Sequence, residues 1–220
     1  MNAMTHIAGP VGRCLPCLLP GRLSKAVLMG GVFMLGSWLA GCSDTDWQTK
    51  DISGLMPPLE FDLTSESGET VVAQAFRGDV TLLFFGFTHC HDVCPTTMAH
   101  LDSIIGELDE EARGDLQVLF VSVDPSRDDP DTLREYTANY GPEFVGVTGT
   151  EDALNALTRR YRVTYSHGEK DETDHYDVSH PNAVFAFDRE GKAQFLIRES
   201  DPRKVVIDDL RKLLGRRLGA

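Results

Sequence analysis

Residues 80–87 read Val-Thr-Leu-Leu-Phe-Phe-Gly-Phe, a continuous apolar run of strand length. A strand without polar alternation is buried on both faces, so this run predicts the central strand of a sheet covered by helices. Directly after it, Met98, Leu101, Ile104, Ile105 and Leu108 recur at spacings of three and four, which predicts a helix over 96–108. Residues 116–123 predict a second buried strand ending at Asp124-Pro125, 131–140 a helix opened after Pro130, 144–147 a short strand and 151–161 a further helix. Strands alternating with helices in this way indicate an α/β sheet containing parallel strands. The ends of the chain read differently. Residues 61–63 and 70–72 flank Glu66-Ser67-Gly68-Glu69, and 183–188 and 193–197 flank Arg189-Glu190-Gly191-Lys192; both are hairpins with their turns. Val205, Val206, Leu210, Leu213 and Leu214 then share one face of a closing helix over 202–214.

That order, from hairpin through alternating units to a terminal antiparallel hairpin and closing helix, resembles the thioredoxin-like fold. It adds an N-terminal hairpin extension and an insertion before the terminal β-hairpin. No internal repeat is visible, and 220 residues suit one domain with a tail. Residues 59–220 are assigned to the domain. Before it, residues 43–56 are polar and lack apolar periodicity, then meet Pro57-Pro58, so 42–58 is read as a membrane-tethering linker.

The N-terminus adds a destination. Residues 1–41 carry Arg13, Arg22 and Lys25 and no acid. The uncharged run over 26–40 has the length of a signal-peptide core and falls short of the ~20 residues of a bilayer span. It ends in Leu39-Ala40-Gly41-Cys42, which resembles the lipobox of bacterial lipoproteins. On that reading 1–41 is a lipoprotein signal peptide and Cys42 becomes the lipidated mature N-terminus. The alternative is an uncleaved signal anchor with an incidental cysteine. Either way the domain is tethered outside the cytoplasmic membrane, in the bacterial cell envelope facing the periplasm. Losing the three basic residues takes the net charge from −13 to −16. A domain this acidic lacks the basic stripe that phosphate backbones require, which excludes nucleic acid as a partner.

Five cysteines are present. Cys14 and Cys17 lie in the leader, without the strand and helix that would give their CxxC spacing a redox meaning. With Cys42 given to lipid, the domain keeps one pair, Cys90 and Cys94. The sequence Cys90-His91-Asp92-Val93-Cys94-Pro95 follows the central strand and opens a helix. A thiol at a helix N-terminus faces unpaired amides and the positive end of the dipole, which favour thiolate. Pro95 suits the first helical position, where no donor is needed. Three intervening residues let both sulfurs reach one side, so the pair can exist as dithiol, disulfide or metal thiolate. A purely structural disulfide is the competing reading, but so small a loop removes little unfolded-state entropy and contributes less than the usual ~2–4 kcal/mol. A peroxidase reading has no positive support.

Residues 85–90 (Phe-Gly-Phe-Thr-His-Cys), 92–97 (Asp-Val-Cys-Pro-Thr-Thr), 121–128 (Val-Ser-Val-Asp-Pro-Ser-Arg-Asp) and 176–180 (Tyr-Asp-Val-Ser-His) together resemble the Sco/SenC family of copper-binding cytochrome c oxidase assembly proteins. The likeness covers roughly 59–214. It implies thiolate ligands at Cys90 and Cys94 and an imidazole ligand at His180, with Asp92 as a nearby acid that tunes the site or contacts a partner and is not a ligand. Asp124 and Arg127 match a stretch that turns the chain near the site. Two sulfurs and one nitrogen suit copper(I); copper(II) is admissible with an added ligand, and zinc is chemically compatible. The implied partners are the copper-bearing oxidase subunit, other periplasmic copper chaperones, thioredoxin-like reductants and, through the lipid anchor, the membrane. The family is credited with copper delivery, in which no substrate is turned over, and with thiol-disulfide reduction, in which Cys90 or Cys94 is the attacking group.

Where this chain departs from the family, it carries His91 in place of a proline, and Ser179 and Pro181 around His180 in place of Asp and Ser. Asp177 is the candidate acceptor for the His180 ring. His91 is either an accessory ligand or an exposed loop residue, and exposure is favoured. His180-Pro181 also resembles the position of the cis-proline facing the thioredoxin loop. His89 is read as packing or modest thiol tuning, and His100 as exposed. His167 and His175 flank a solvated hairpin tip, and Phe84, Phe85 and Phe87 are core residues.

Overall fold

The computed structural model describes residues 46–168, 178–179 and 182–215. In chain order the strands are β1 (Lys50–Asp51), β2 (Asp62–Ser65), β3 (Thr70–Val72) and β4 (Val80–Gly86), followed by helices α1 (Val93–Ile105) and α2 (Glu110–Gly114). Then come β5 (Leu116–Ser122), α3 (Pro130–Thr137), β6 (Phe144–Thr148), α4 (Glu151–Arg160), β7 (Ser166–His167), β8 (Val178–Ser179), β9 (Val184–Phe187), β10 (Ala193–Ile197) and α5 (Arg203–Leu214). Eight strands form one sheet in the order β1-β10-β9-β4-β5-β6-β2-β3. The arrangement is the expected α/β, thioredoxin-like one: β4, β5 and β6 run parallel, β9 lies antiparallel to β4, and the β2–β3 hairpin extends the sheet beyond β6.

All seven residues of β4 are buried, as its unbroken apolar run requires. Alternation sends Phe84 toward one face, 6.1 Å from Phe120 of β5, and Phe85 toward the other, edge-on to Phe185 of β9. On that second face Tyr161 packs 5.6 Å from both Phe185 and Phe187. Parallel pairing aligns Val80 with Leu116 and Gly86 with Ser122, so the C-terminal ends of β4 and β5 finish side by side. The loops leaving those two ends build the site. The insertion before β9 contains a two-stranded ribbon, β7 with β8, and the expected hairpin tip between them lies outside the described residues.

The linker expected over 42–58 is corrected from Asp46 onward. Lys50 and Asp51 pair with Leu196 and Phe195 as an edge strand, Trp47 stacks 4.8 Å from Phe195, and Trp47 and Ile52 are buried in the core. Asp209 of α5, itself buried, accepts hydrogen bonds from the Gln48 amide, the Thr49 amide and the Thr49 hydroxyl. A strand two residues long is too short for its alternation to show in sequence, and the two residues before it, Gln48 and Thr49, are held by a partner about 160 positions away.

Candidate metal and dithiol site

Helix α1 begins three residues earlier than periodicity predicts, with Asp92 at its N-cap and Val93, Cys94 and Pro95 in its first turn. Pro95 is thus the third helical residue, still among the positions whose amide has no intrahelical acceptor. Asp92 makes no side-chain capping bond and is exposed. Cys94 is completely buried, whereas Cys90, one turn before it, is half-buried; neither is in a disulfide. The Cys94 amide donates to the Cys90 sulfur at 3.3 Å, so the helix start points a backbone donor at the outer thiol.

Burial decides the chemistry of the inner one. Desolvation pushes the Cys94 thiol well above its ordinary range, and the neighbouring Cys90 and Asp128 push the same way. The expectation that the helix terminus would favour thiolate therefore does not hold for Cys94. Gly86 makes room for it. A Cβ there would lie 2.8 Å from the Cys94 sulfur and 2.6 Å from the Phe120 ring, so the end of β4 must be glycine for the sulfur to sit against the sheet.

Beneath the loop lies a buried polar knot. Asp124 and Asp128 are both fully buried. Asp124 pairs with Arg127 at 2.5 Å, and the Arg127 guanidinium lies 5.7 Å from the Phe87 ring centre. Asp128 accepts from the Thr88 amide at 2.9 Å, the Thr88 hydroxyl at 2.6 Å and the Ser122 hydroxyl at 2.5 Å. Asp124 and Arg127 turn the chain near the site as expected. Asp128 was quoted in the sequence motif without a role, because its three donors come from two separate strand ends.

The other sequence candidates divide. His89 and His91 are exposed, with His89 Nδ1 3.1 Å from the Thr88 hydroxyl. His100 is half-buried instead of exposed, beside the end of β10 at Ile197 and the residues that follow it. Its Nε2 is buried without a hydrogen-bond partner, and burial, with the nearby Arg203 charge, lowers its pKa. His100 lines a cavity of about 120 Å³ with Thr96 and Thr97 of α1 and with Asn182, Arg198 and Glu199. Cys42, Asp177, His175 and His180 lie outside the described residues. Among the described residues no group of three or more His, Cys, Asp or Glu side chains converges on a metal geometry.

The arrangement has known counterparts. The family model described as SCO1/SenC matches residues 56–215. A human relative, "Protein SCO1 homolog, mitochondrial", is 37% identical over 133 residues, which are 60% of this chain and 44% of that protein, so the match spans less than half of the relative's length. A mouse relative, "Protein SCO2 homolog, mitochondrial", is 32% identical over 216 residues, covering 94% of this chain and 83% of that one. Among solved structures, yeast Sco1 with copper bound superposes with a TM-score of 0.67 at 28% identity, covering 74% of this chain and 92% of the other. Because the family model takes in everything from the β2–β3 hairpin to α5, and the mouse relative aligns along nearly the whole sequence, the chain belongs to the SCO1/SenC family.

Proposed function

We propose that the protein binds copper(I) through Cys90 and Cys94, with His180 as third donor, and passes it to the binuclear copper centre of a cytochrome c oxidase subunit. The observation that carries this reading is the pair of thiols at the head of α1, outside any disulfide, one sealed against the sheet and one within reach of solvent. Thiolates are soft ligands that select copper(I), and an imidazole completes a trigonal set. The similar yeast protein was solved with copper bound. In the transfer, copper stays copper(I) throughout. An incoming sulfur of the acceptor bonds to copper as the bond to Cys90, the accessible ligand, breaks, and the buried Cys94 releases last.

The unequal exposure of the two thiols also favours a second reading, a thiol-disulfide reductase. Cys90 attacks a disulfide of the oxidase copper site, one partner sulfur leaves as thiol, and Cys94 then displaces the second, leaving a Cys90–Cys94 disulfide and two reduced partner cysteines. Other copper chaperones and thioredoxin-like reductants would supply the metal and electrons. The same proposal places the domain in the bacterial envelope on a lipidated Cys42. The described residues contain no helix long and apolar enough to cross a membrane.

Anaerobic competition titration of copper(I) against a chelator, comparing the wild type with His180→Ala, tests the assignment. Loss of a direct ligand is expected to weaken binding by more than the ~10–100-fold that outer partners of a metal site carry. Unchanged affinity in His180→Ala, with reductase activity retained, would leave dithiol chemistry alone.

A further inference from the structure

The loop from Phe87 to Asp92 carries the accessible thiol, and its path is set from below. Gly86, where the loop begins, is tied to the following strand by the Val123 amide, which donates to its carbonyl at 2.9 Å. Two residues on, Thr88 donates both its amide and its hydroxyl to the carboxylate of Asp128. The same carboxylate is anchored in turn by the Ser122 hydroxyl at the end of β5 and by the turn in which the Asp128 amide donates to the Asp124 carbonyl at 3.0 Å. Beyond Thr88, the Cys90 amide closes a turn onto the Phe87 carbonyl at 3.2 Å. Cys90 is therefore two residues from a side chain held on both its polar groups by one fully buried acid. A buried carboxylate is costly unless its lone pairs are filled, and here three donors fill them.

We propose that Asp128 is a positioning residue for the thiol pair: it holds Thr88 from the end of β5, fixes the loop that carries Cys90, and keeps the two sulfurs within reach of a shared bond. A disulfide and a two-sulfur metal site both need the sulfurs brought together in advance, so a loosened loop lowers the effective concentration of one at the other and weakens both. The inference rests on Cys90 and Cys94 acting as a pair, and its first test does not involve copper.

The test is the dithiol-disulfide equilibrium of the full chain in glutathione buffers. Two thiols and one glutathione disulfide give the Cys90–Cys94 disulfide and two glutathiones. Asp128→Asn, which keeps the side-chain shape but cannot accept all three bonds, is expected to lower the equilibrium constant for disulfide formation about tenfold, a shift of about 30 mV toward easier reduction. Thr88→Val should move it the same way by less, and Thr88→Ser, which retains the hydroxyl, should restore the wild-type value. A residue that merely supports the fold destabilises oxidised and reduced forms alike and leaves the couple unmoved. A wild-type couple in folded Asp128→Asn overturns the proposal; should that variant fail to fold, identical couples in Thr88→Val and Thr88→Ser overturn it instead. The couple is read without metal, so this inference and the copper assignment of His180 fail separately.

Discussion

Cys94→Ser is expected to abolish stoichiometric copper(I) binding and to lower the stability of the metal-free protein by about 1–3 kcal/mol. Cys90→Ser should abolish the same binding with a stability loss nearer the ~0.5 kcal/mol of surface substitutions. The binding result follows from shared ligation, since one thiolate cannot form a two-sulfur site and a hydroxyl is a hard donor that copper(I) disfavours. The stability difference follows from position. Cys94 is completely buried against Gly86 and Phe120, where a hydroxyl loses its water, whereas Cys90 keeps part of its surface in solvent. Chelator competition and denaturant unfolding of both variants check this. Retained binding in either variant contradicts shared ligation, and equal stability losses contradict the burial difference.

Asp209→Ala is expected to cost about 3 kcal/mol, because it orphans the buried Thr49 amide and hydroxyl, which each carry ~1–3 kcal/mol when left unpaired, and releases the part-buried Gln48 amide. For a domain of this size that is a fall of ~6–12 °C in Tm. Amide exchange at Gln48 and Thr49 should accelerate in the same variant, since Asp209 is their acceptor. If residues 46–51 were a tether, the substitution would change stability by no more than ~0.5 kcal/mol and leave exchange there untouched.

The N-terminal segment shows where the sequence is legible. Elements whose burial is written into their own composition are read directly: β4 from its apolar run, α5 from its face, the β2–β3 and β9–β10 hairpins from their turns. β1 is not, because two polar residues become a strand only through β10, with the preceding Gln48 and Thr49 held by a carboxylate on α5. The start of α1 is displaced for a related reason. Val93 and Cys94 carry no helical periodicity by themselves, and the turn becomes helical because Cys94 seats beside Gly86. At the site, the cysteine pair is visible from its spacing after a buried strand and before a helix. Asp128 is not, because its role depends on Thr88 and Ser122 arriving at neighbouring strand ends. His100 is half-buried where its helix position predicts exposure, because nothing local reveals that Ile197, Arg198 and Glu199 arrive beside it.

Copper K-edge X-ray absorption on the anaerobically loaded full chain reads the ligand set itself. Copper(I) with two sulfur scatterers and one imidazole nitrogen is expected, the nitrogen disappearing in His180→Ala. A site with two sulfurs alone in the wild type, unchanged by that substitution, would contradict that ligand set.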